Sequence, residues 1–215
     1  MYFTDRYDAA AQLLPLLQHY KKAKGVILAV PRGGVPIGYY LSNALEIPLD
    51  LLMTKKLGHP ANPEFAIGAV SLEDSLVEET RDLPEDYISD EILRIRALLK
   101  ERYKKFMGHT KPAPVKGKIV IVVDDGIATG RTILSTIRLL RRGEPEKIVV
   151  AVPVASAEAA RRISREVDEF VCPHIPPDFF GVGNFYDDFS QVEDEEVIHL
   201  LKELEKEGRL LTNSI

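Results

Sequence analysis

The sequence lacks several things that would each have marked a class of protein. It has a single cysteine, Cys172, in 215 residues, so no internal disulfide can form. Flanked by Val171 and Pro173, that thiol reads as a buried structural group rather than a nucleophile. Basic residues are outnumbered, 28 Lys and Arg against 33 Asp and Glu, for a net charge of −5. This excludes a general nucleic-acid binder, whose footprint is basic, so any anion must be held by local groups. No apolar run is long enough to span a bilayer, and the opening residues MYFTDRYDAA lack the basic and apolar regions of a signal peptide. The expected location is the cytoplasm, with no membrane partner. Internal repeats and low-complexity tracts are also absent. The nearest thing to a linker, HTKPAPVKG from His109 to Gly117, is short enough to be a connection inside one domain. What remains, 45% apolar and 28% charged residues, is the composition of an ordinary globular domain, read here as one unit over 1–215.

The chain is organised around Lys118 to Thr132, KIVIVVDDGIATGRT. Five consecutive β-branched residues, Ile119 to Val123, predict a strand buried on both faces, as in a parallel sheet. It stops at two carboxylates, Asp124 and Asp125, followed by a short polar turn and then by helical spacing from Ile133 to Leu140. A strand, a loop and a helix N-terminus in that order make a phosphate cradle, because backbone N–H groups and the positive end of the helix dipole converge there. Carboxylates would repel phosphate but suit sugar hydroxyls, so the stretch asks for a ligand with a diol beside a phosphate. Two familiar phosphate loops do not match. Gly126 and Gly130 have three residues between them, not the four of a P-loop, and Arg131 stands where that loop needs Lys; a dinucleotide G-x-G is absent.

A second cradle precedes this one. Gly25 to Val30 predicts a buried strand, PRGG follows, and Val35 to Leu45 is helical. Arg32 can pair with phosphate while the N–H groups of Gly33 and Gly34 approach closely, neither having a side chain to block access. Two cradles suit a ligand with two separated phosphate groups. Earlier, Tyr7 to Ala23 predicts a packing helix that Pro15 should kink or split. Pro48 to Thr54 predicts a strand, after which Lys55, Lys56 and His59, among Gly58, Pro60, Asn62 and Pro63, are expected on a loop able to close over an anionic site. Glu64 to Ser71 and Leu76 to Glu78 suggest a hairpin. Ile88, Ile92, Ile95, Leu99, Tyr103 and Phe106 mark one face of a long amphipathic helix that covers the sheet or meets a second subunit. Lys147 to Val154 is a further strand, Ala157 to Glu166 a helix and Glu169 to Val171 a strand end. Alternating strands and helices predict a mostly parallel sheet with ligands at the carboxyl ends of its strands. The run CPHIPPDFFGVGNFYDDFSQ gathers five aromatics without helical period, a hydrophobic cover in which Phe179 and Phe180 can stack on a planar base. Glu193 to Leu211 is a charged terminal helix.

The central motif, an apolar strand, two acidic residues and an A-T-G-x-T loop, resembles the ribose-5-phosphate-binding motif of the type I phosphoribosyltransferases. The resemblance extends over most of the chain through PRGG, a KxGxPxNPEFAxGAV-like segment and VDDGxATG, a combination similar to a phosphoribosyltransferase group of unassigned substrate. It implies an α/β fold with a Rossmann-like core at about 25–171, a small hood at about 172–190 and a terminal helix at about 193–211. It also implies transfer of ribose 5-phosphate between pyrophosphate and a nitrogenous base, with 5-phosphoribosyl 1-diphosphate (PRPP) as the donor and Mg²⁺ as the cofactor. On this resemblance Asp124 and Asp125 bind the ribose diol. Ala128, Thr129, Gly130, Arg131 and Thr132 wrap the 5′-phosphate, and Arg32, Gly33 and Gly34 take pyrophosphate. Lys55 and Lys56 act with the acidic pair in catalysis, and Asp187 or Asp188 touches the metal. Ala128 is a departure: hypoxanthine-guanine enzymes place an acidic residue there, so a proton-transfer group is missing and purine salvage of that kind is not implied. Small-molecule substrates and a homodimer are the expected partners. A non-catalytic PRPP sensor and a sugar-phosphate or nucleotide hydrolase on a similar core stand as alternatives.

Overall fold

The computed structural model describes residues 2–77 and 83–210, with backbone only at 63–65. In chain order the elements are α1 (Arg6–Leu17), β1 (Gly25–Ala29), α2 (Gly34–Leu45), β2 (Leu49–Leu51), β3 (Thr54–His59), β4 (Asn62–Ser71), β5 (Ser75–Val77), α3 (Glu85–Met107), β6 (Ile119–Val123), α4 (Arg131–Arg142), β7 (Lys147–Ala151), α5 (Ala157–Ile163), β8 (Glu169–Val171) and α6 (Asp194–Lys206). Glu78 and Leu211, expected at the ends of a strand and a helix, lie outside the described residues. Five strands form a sheet in the order β2-β1-β6-β7-β8, every pair parallel.

Successive strand residues point to opposite faces, and here both faces are apolar. Ile27, Ile121, Val123, Val149 and Ala151 belong to one buried cluster with α1, α2, α3 and α6 residues such as Leu13, Leu41, Tyr103 and Leu201. Val26, Val120, Val122, Ile148 and Val150 belong to another with Ile133, Ile137 and Ala159 of α4 and α5. The β-branched runs are therefore consumed twice, once per face, which is why they carry no alternation. α2 comes very close to the sheet at Gly38, where a Cβ would stand 2.9 Å from the Ala29 Cβ and 2.6 Å from Leu49 Cδ1. Asp5 caps α1 through its carboxylate, accepting 2.8 Å bonds from the N–H groups of Tyr7 and Asp8. Pro15 does not split that helix: it continues to Leu17 and then tightens into a 3₁₀ turn over Gln18–Tyr20. No helix among the described residues is long and apolar enough to cross a membrane.

The segment expected as a loop at Lys55, Lys56 and His59 is instead strand β3, paired antiparallel with β4 in the register Lys55↔Val70 and Lys56↔Ala69. β5 completes a three-stranded antiparallel unit beside the main sheet. Lys, Gly and His disfavour a strand locally, but β4 supplies the partner and a register shift around Gly58 accommodates the glycine. The connection before β6 is tied down by one buried carboxylate. Asp50, 1% exposed, accepts bonds from the Tyr103 O–H at 2.8 Å and the Ala113 N–H at 2.6 Å. Burial pushes its pKa up, opposed by these same bonds. Replacing Asp50 by Ala strands both donors, at about 1–3 kcal/mol for each group left unsatisfied. The Asp50→Ala variant is expected to unfold at a lower urea midpoint with an unchanged slope; a midpoint equal to the parent's would show that the tie contributes nothing.

Candidate functional site

In the strand order β2-β1-β6-β7-β8 the chain leaves β1 toward β2 on one side, while β6 leads to β7 on the other. The carboxyl ends of β1 and β6 thus flank a topological switch point, where the loops of an open α/β sheet part and leave a crevice. Helices α2 and α4 both begin at this edge. Neither is capped by a side chain: α2 starts from Gly33 and α4 from Gly130. α1 and α5 are capped by Asp5 and Ser156, whereas α3 and α6 also lack a side-chain cap. At α2 the Gly34 and Val35 N–H groups already donate to the carbonyls of Val30 and Arg32 at 2.9 and 3.0 Å, and Pro36 has no N–H, so it is the α4 N-terminus whose first-turn N–H groups suit an anion.

The loop into α4 is rigidly backed. The Ile127 N–H donates to the Val154 carbonyl at 2.9 Å, the Ser156 N–H to the Ile127 carbonyl at 3.0 Å, and Ser156 Oγ to the Ala128 carbonyl at 2.6 Å. Gly130 adopts φ 69°, left-handed, and a Cβ there would sit 3.2 Å from Ile163 Cδ1. Ala128, Thr129, Arg131 and Thr132 are exposed around it. The predicted phosphate-loop residues therefore do surround one helix N-terminus.

Gly33 and Gly34 serve a different need, the approach of this loop to the acidic pair. A Cβ on Gly33 would fall 1.9 Å from Asp125 Oδ2, and one on Gly34 would fall 2.7 Å from the Val123 carbonyl oxygen. The Pro31–Arg32 peptide is cis. Arg32, expected at pyrophosphate, pairs with Glu193 at 3.3 Å and Asp194 at 3.1 Å at the start of α6, where Lys105 also reaches Asp194 at 2.7 Å. These two cations and two carboxylates form a latch beside the glycine loop.

The Asp125 N–H donates to Asp124 Oδ1 at 2.9 Å, and both carboxyls are largely shielded from water. Burial, then the neighbouring Asp125 charge, push Asp124 well above the usual carboxylate range. Burial also raises Asp125, against the pull of Arg6. Arg6 donates to Asp125 Oδ2 from Nε at 3.0 Å and Nη2 at 2.9 Å, and to the Ser190 carbonyl from Nη1 at 2.9 Å. Its guanidinium lies 4.2 Å from the centre of the Phe189 ring. The Tyr186 hydroxyl donates to the Asp125 carbonyl at 2.7 Å. Sequence reasoning singles out none of Arg6, Tyr186 and Phe189. Arg6 and Asp125 are 119 positions apart, and no local pattern links them.

The aromatic run does form a cover, and the N-terminal segment completes it. The Phe3 N–H donates to the Phe185 carbonyl at 2.7 Å, and the N–H groups of Asp187 and Asp188 donate to the carbonyls of Phe3 and Thr4 at 2.8 and 2.9 Å. Val182 packs on Gly126, where a Cβ would be 2.5 Å from Val182 Cγ1. Phe179 is stacked on Phe185 at 5.5 Å, while Phe180 is 88% exposed. Asp187 and Asp188 are exposed on the rim, and no group of three or more His, Cys, Asp or Glu side chains gathers to hold a metal among the described residues. Lys55 is exposed and Lys56 half-buried on β3; His59 Nδ1 accepts from the Ala61 N–H at 3.1 Å. Cys172 is partly buried, its thiol donating to the His174 carbonyl at 3.1 Å and pushed up to about 12 by burial, the state of an unreactive thiol.

Known proteins resemble this chain in sequence and fold. A family model described as phosphoribosyl transferase domain matches residues 8–189. The Mycobacterium tuberculosis H37Rv protein named "Putative phosphoribosyl transferase Rv0571c" is 36% identical over 206 residues, covering 93% of this chain and 46% of that protein. The chain thus spans about half the length of the curated relatives it matches most extensively. A shorter match, 39% identical over 71 residues, joins 32% of the chain to 25% of the ribose-phosphate pyrophosphokinase of Thermococcus kodakarensis. Among solved structures, TT1426 from Thermus thermophilus superposes with a TM-score of 0.85 at 37% identity, covering 94% of this chain and 99% of that one.

The glycine contacts are directly testable. Gly34→Ala meets backbone that cannot move aside, and overpacking of this kind costs about 1–3 kcal/mol. Alanine at Gly181, where nothing lies within 4 Å, should cost much less. Thermal midpoints of the two variants decide it: equal midpoints would refute the close approach.

Proposed function

Because the chain belongs to the phosphoribosyl transferase family, we propose that it moves ribose 5-phosphate from PRPP to a nitrogenous acceptor with release of pyrophosphate. The observation that carries the proposal is the uncapped N-terminus of α4 and the closely packed glycine loop on either side of two carboxylates at the switch point. That geometry suits a ligand with a phosphate at each end and a diol between. Asp124 and Asp125 accept bonds from the ribose hydroxyls. The loop from Ala128 to Thr132 holds the 5′-phosphate, and Gly33 and Gly34 line the pyrophosphate, with the Gly33 N–H as donor because that of Gly34 is held by the Val30 carbonyl at 2.9 Å. Arg32 joins them by exchanging Glu193 and Asp194 for phosphate oxygens, and Lys55 and Lys56 come from the antiparallel unit. Phe180, whose ring is free, is the stacking partner for the acceptor; Phe179 shapes its platform through Phe185.

In the reaction the bond between the anomeric carbon and the pyrophosphate oxygen breaks, and its electron pair leaves with pyrophosphate. Positive charge grows on the ribose, where the carboxylates stabilise it, while the basic groups beside the glycine loop receive the negative charge. The acceptor nitrogen then bonds to the same carbon. Mg²⁺ would come with PRPP, and Asp187 or Asp188 would be the carboxylate that touches the ion. A cytoplasmic, homodimeric enzyme acting on small molecules completes the proposal. A second reading, a non-catalytic PRPP-binding regulator, is favoured by Arg32 being held by Glu193 and Asp194; pyrophosphate release in the presence of acceptor bases separates the two.

Calorimetric titration with PRPP and Mg²⁺ should show binding by the parent that disappears in an Asp124→Asn/Asp125→Asn double variant. No binding by the folded parent at millimolar PRPP would sink the ribose-phosphate reading. The raised Asp124 pKa adds a pH signature. The folded chain holds a proton that the unfolded chain has already lost, so its contribution to stability falls as pH climbs from the ordinary carboxylate value through the folded one. A ligand that binds the ionised pair releases that proton, so PRPP affinity should rise over the same interval. A flat affinity profile would contradict the assignment of Asp124 to the ribose.

A further inference from the structure

Arg6 is a buried arginine, 9% exposed, on the first turn of α1. It precedes the first residue matched by the family model, yet its guanidinium is built into the site at three points. Two of its nitrogens grip the same Asp125 oxygen, Oδ2, at 2.9 and 3.0 Å. The third donates to the Ser190 carbonyl, and the Phe189 ring lies against its face. Oδ2 is also the atom that a Cβ on Gly33 would strike. Oδ2 is thus enclosed between Arg6 and the glycine loop, while Oδ1 stands farther from that loop, 3.1 Å from the same Cβ position, and is not held by Arg6.

We propose that Arg6 is a positioning residue for the ribose site: it holds Asp125 by Oδ2, presents Oδ1 to the ribose, and couples that carboxylate to the hood through Phe189 and Ser190. The inference rests on the reading of Asp124 and Asp125 as the ribose-binding pair and adds the residue that orients it. A carboxylate alone can rotate about its last torsion, which is broad and soft. A planar guanidinium that bonds one oxygen twice removes that freedom and supplies a countercharge where two acidic side chains lie side by side. The groups facing Asp125 are Arg6 from α1, Asp124 from its own loop, the Tyr186 hydroxyl from the hood and the side-chain-free Gly33 at the start of α2. Asp188 lies beyond Arg6 on the rim. The same arginine bonds Ser190 and stacks on Phe189, so a shift of the hood on binding an acceptor is felt at the ribose carboxylate.

The test is calorimetric titration with PRPP and Mg²⁺ across pH for the parent, Arg6→Ala and Arg6→Lys, with thermal midpoints measured alongside. Arg6→Ala is expected to bind on the order of 10- to 100-fold more weakly at neutral pH, the scale of a misplaced binding group. Only part of that loss should be recovered as pH rises, because ionising Asp125 restores its charge but not its orientation. A parent-like affinity and pH profile in Arg6→Ala, or a loss that higher pH removes entirely, overturns the proposal. Should Arg6→Ala fail to fold, Arg6→Lys carries the test, since it keeps the charge without the fork. It is expected to bind about tenfold more weakly than the parent, and equal affinity overturns the proposal. If the parent itself does not bind PRPP, the ribose reading fails and the positioning role falls with it; binding by the parent with an indifferent Arg6 refutes only the positioning role.

Discussion

Two loops leave the same edge of the sheet from adjacent parallel strands, and they must pass within contact distance of each other. β1 and β6 run in register with Ala29 opposite Val123, so the glycine loop and the acidic loop begin about 4.8 Å apart. The gap closes because Gly33 and Gly34 have no side chains. Their backbone is not left-handed, Gly33 having φ −59°, so a crowded neighbour rather than a special dihedral demands glycine here. The same approach brings one uncapped helix N-terminus beside the carboxylates, with the second a few residues further along the other loop.

Electrostatics follow from this crowding. Two carboxyls taken out of water raise each other's cost, and a cation must offset at least one of them. Arg6 meets that need from the far end of the chain, which obliges the N-terminal segment to lie along the hood. Phe3 pairs there with Tyr186, and the N–H groups of Asp187 and Asp188 bond the carbonyls of Phe3 and Thr4. The hood is therefore composed of two distant stretches of chain. Its aromatic rings are largely occupied with one another, and Phe180 is the ring left open to solvent.

Much of the architecture is legible in residue patterns. The runs GVILA, IVIVV and KIVVA form adjacent parallel strands buried on both faces, because only a sheet covered on both sides can consume unbroken β-branched runs. The long helix expected around Ile88 to Phe106 is α3, with Ile95, Leu99, Tyr103 and Phe106 on its buried face. Composition alone makes the Lys55–Lys56–His59 segment a loop, wrongly, since its strand character comes from β4 and not from its own residues. Residue type places Arg32 next to two glycines at an anion site; its actual partners, Glu193 and Asp194, arrive from the start of α6, more than 160 positions later.

The sequence by itself determined the class of fold and the strand–loop–helix form of two local segments, because strand, loop and helix signals are short-range and each segment is built from consecutive residues. Tertiary structure alone decided how the two loops face each other, which oxygen of Asp125 Arg6 holds, and that Arg6 and Tyr186 both bond Asp125. Those relations depend on which strands lie side by side and on how the chain's two ends meet over them, and a buried charge finds its counterion in space rather than along the chain.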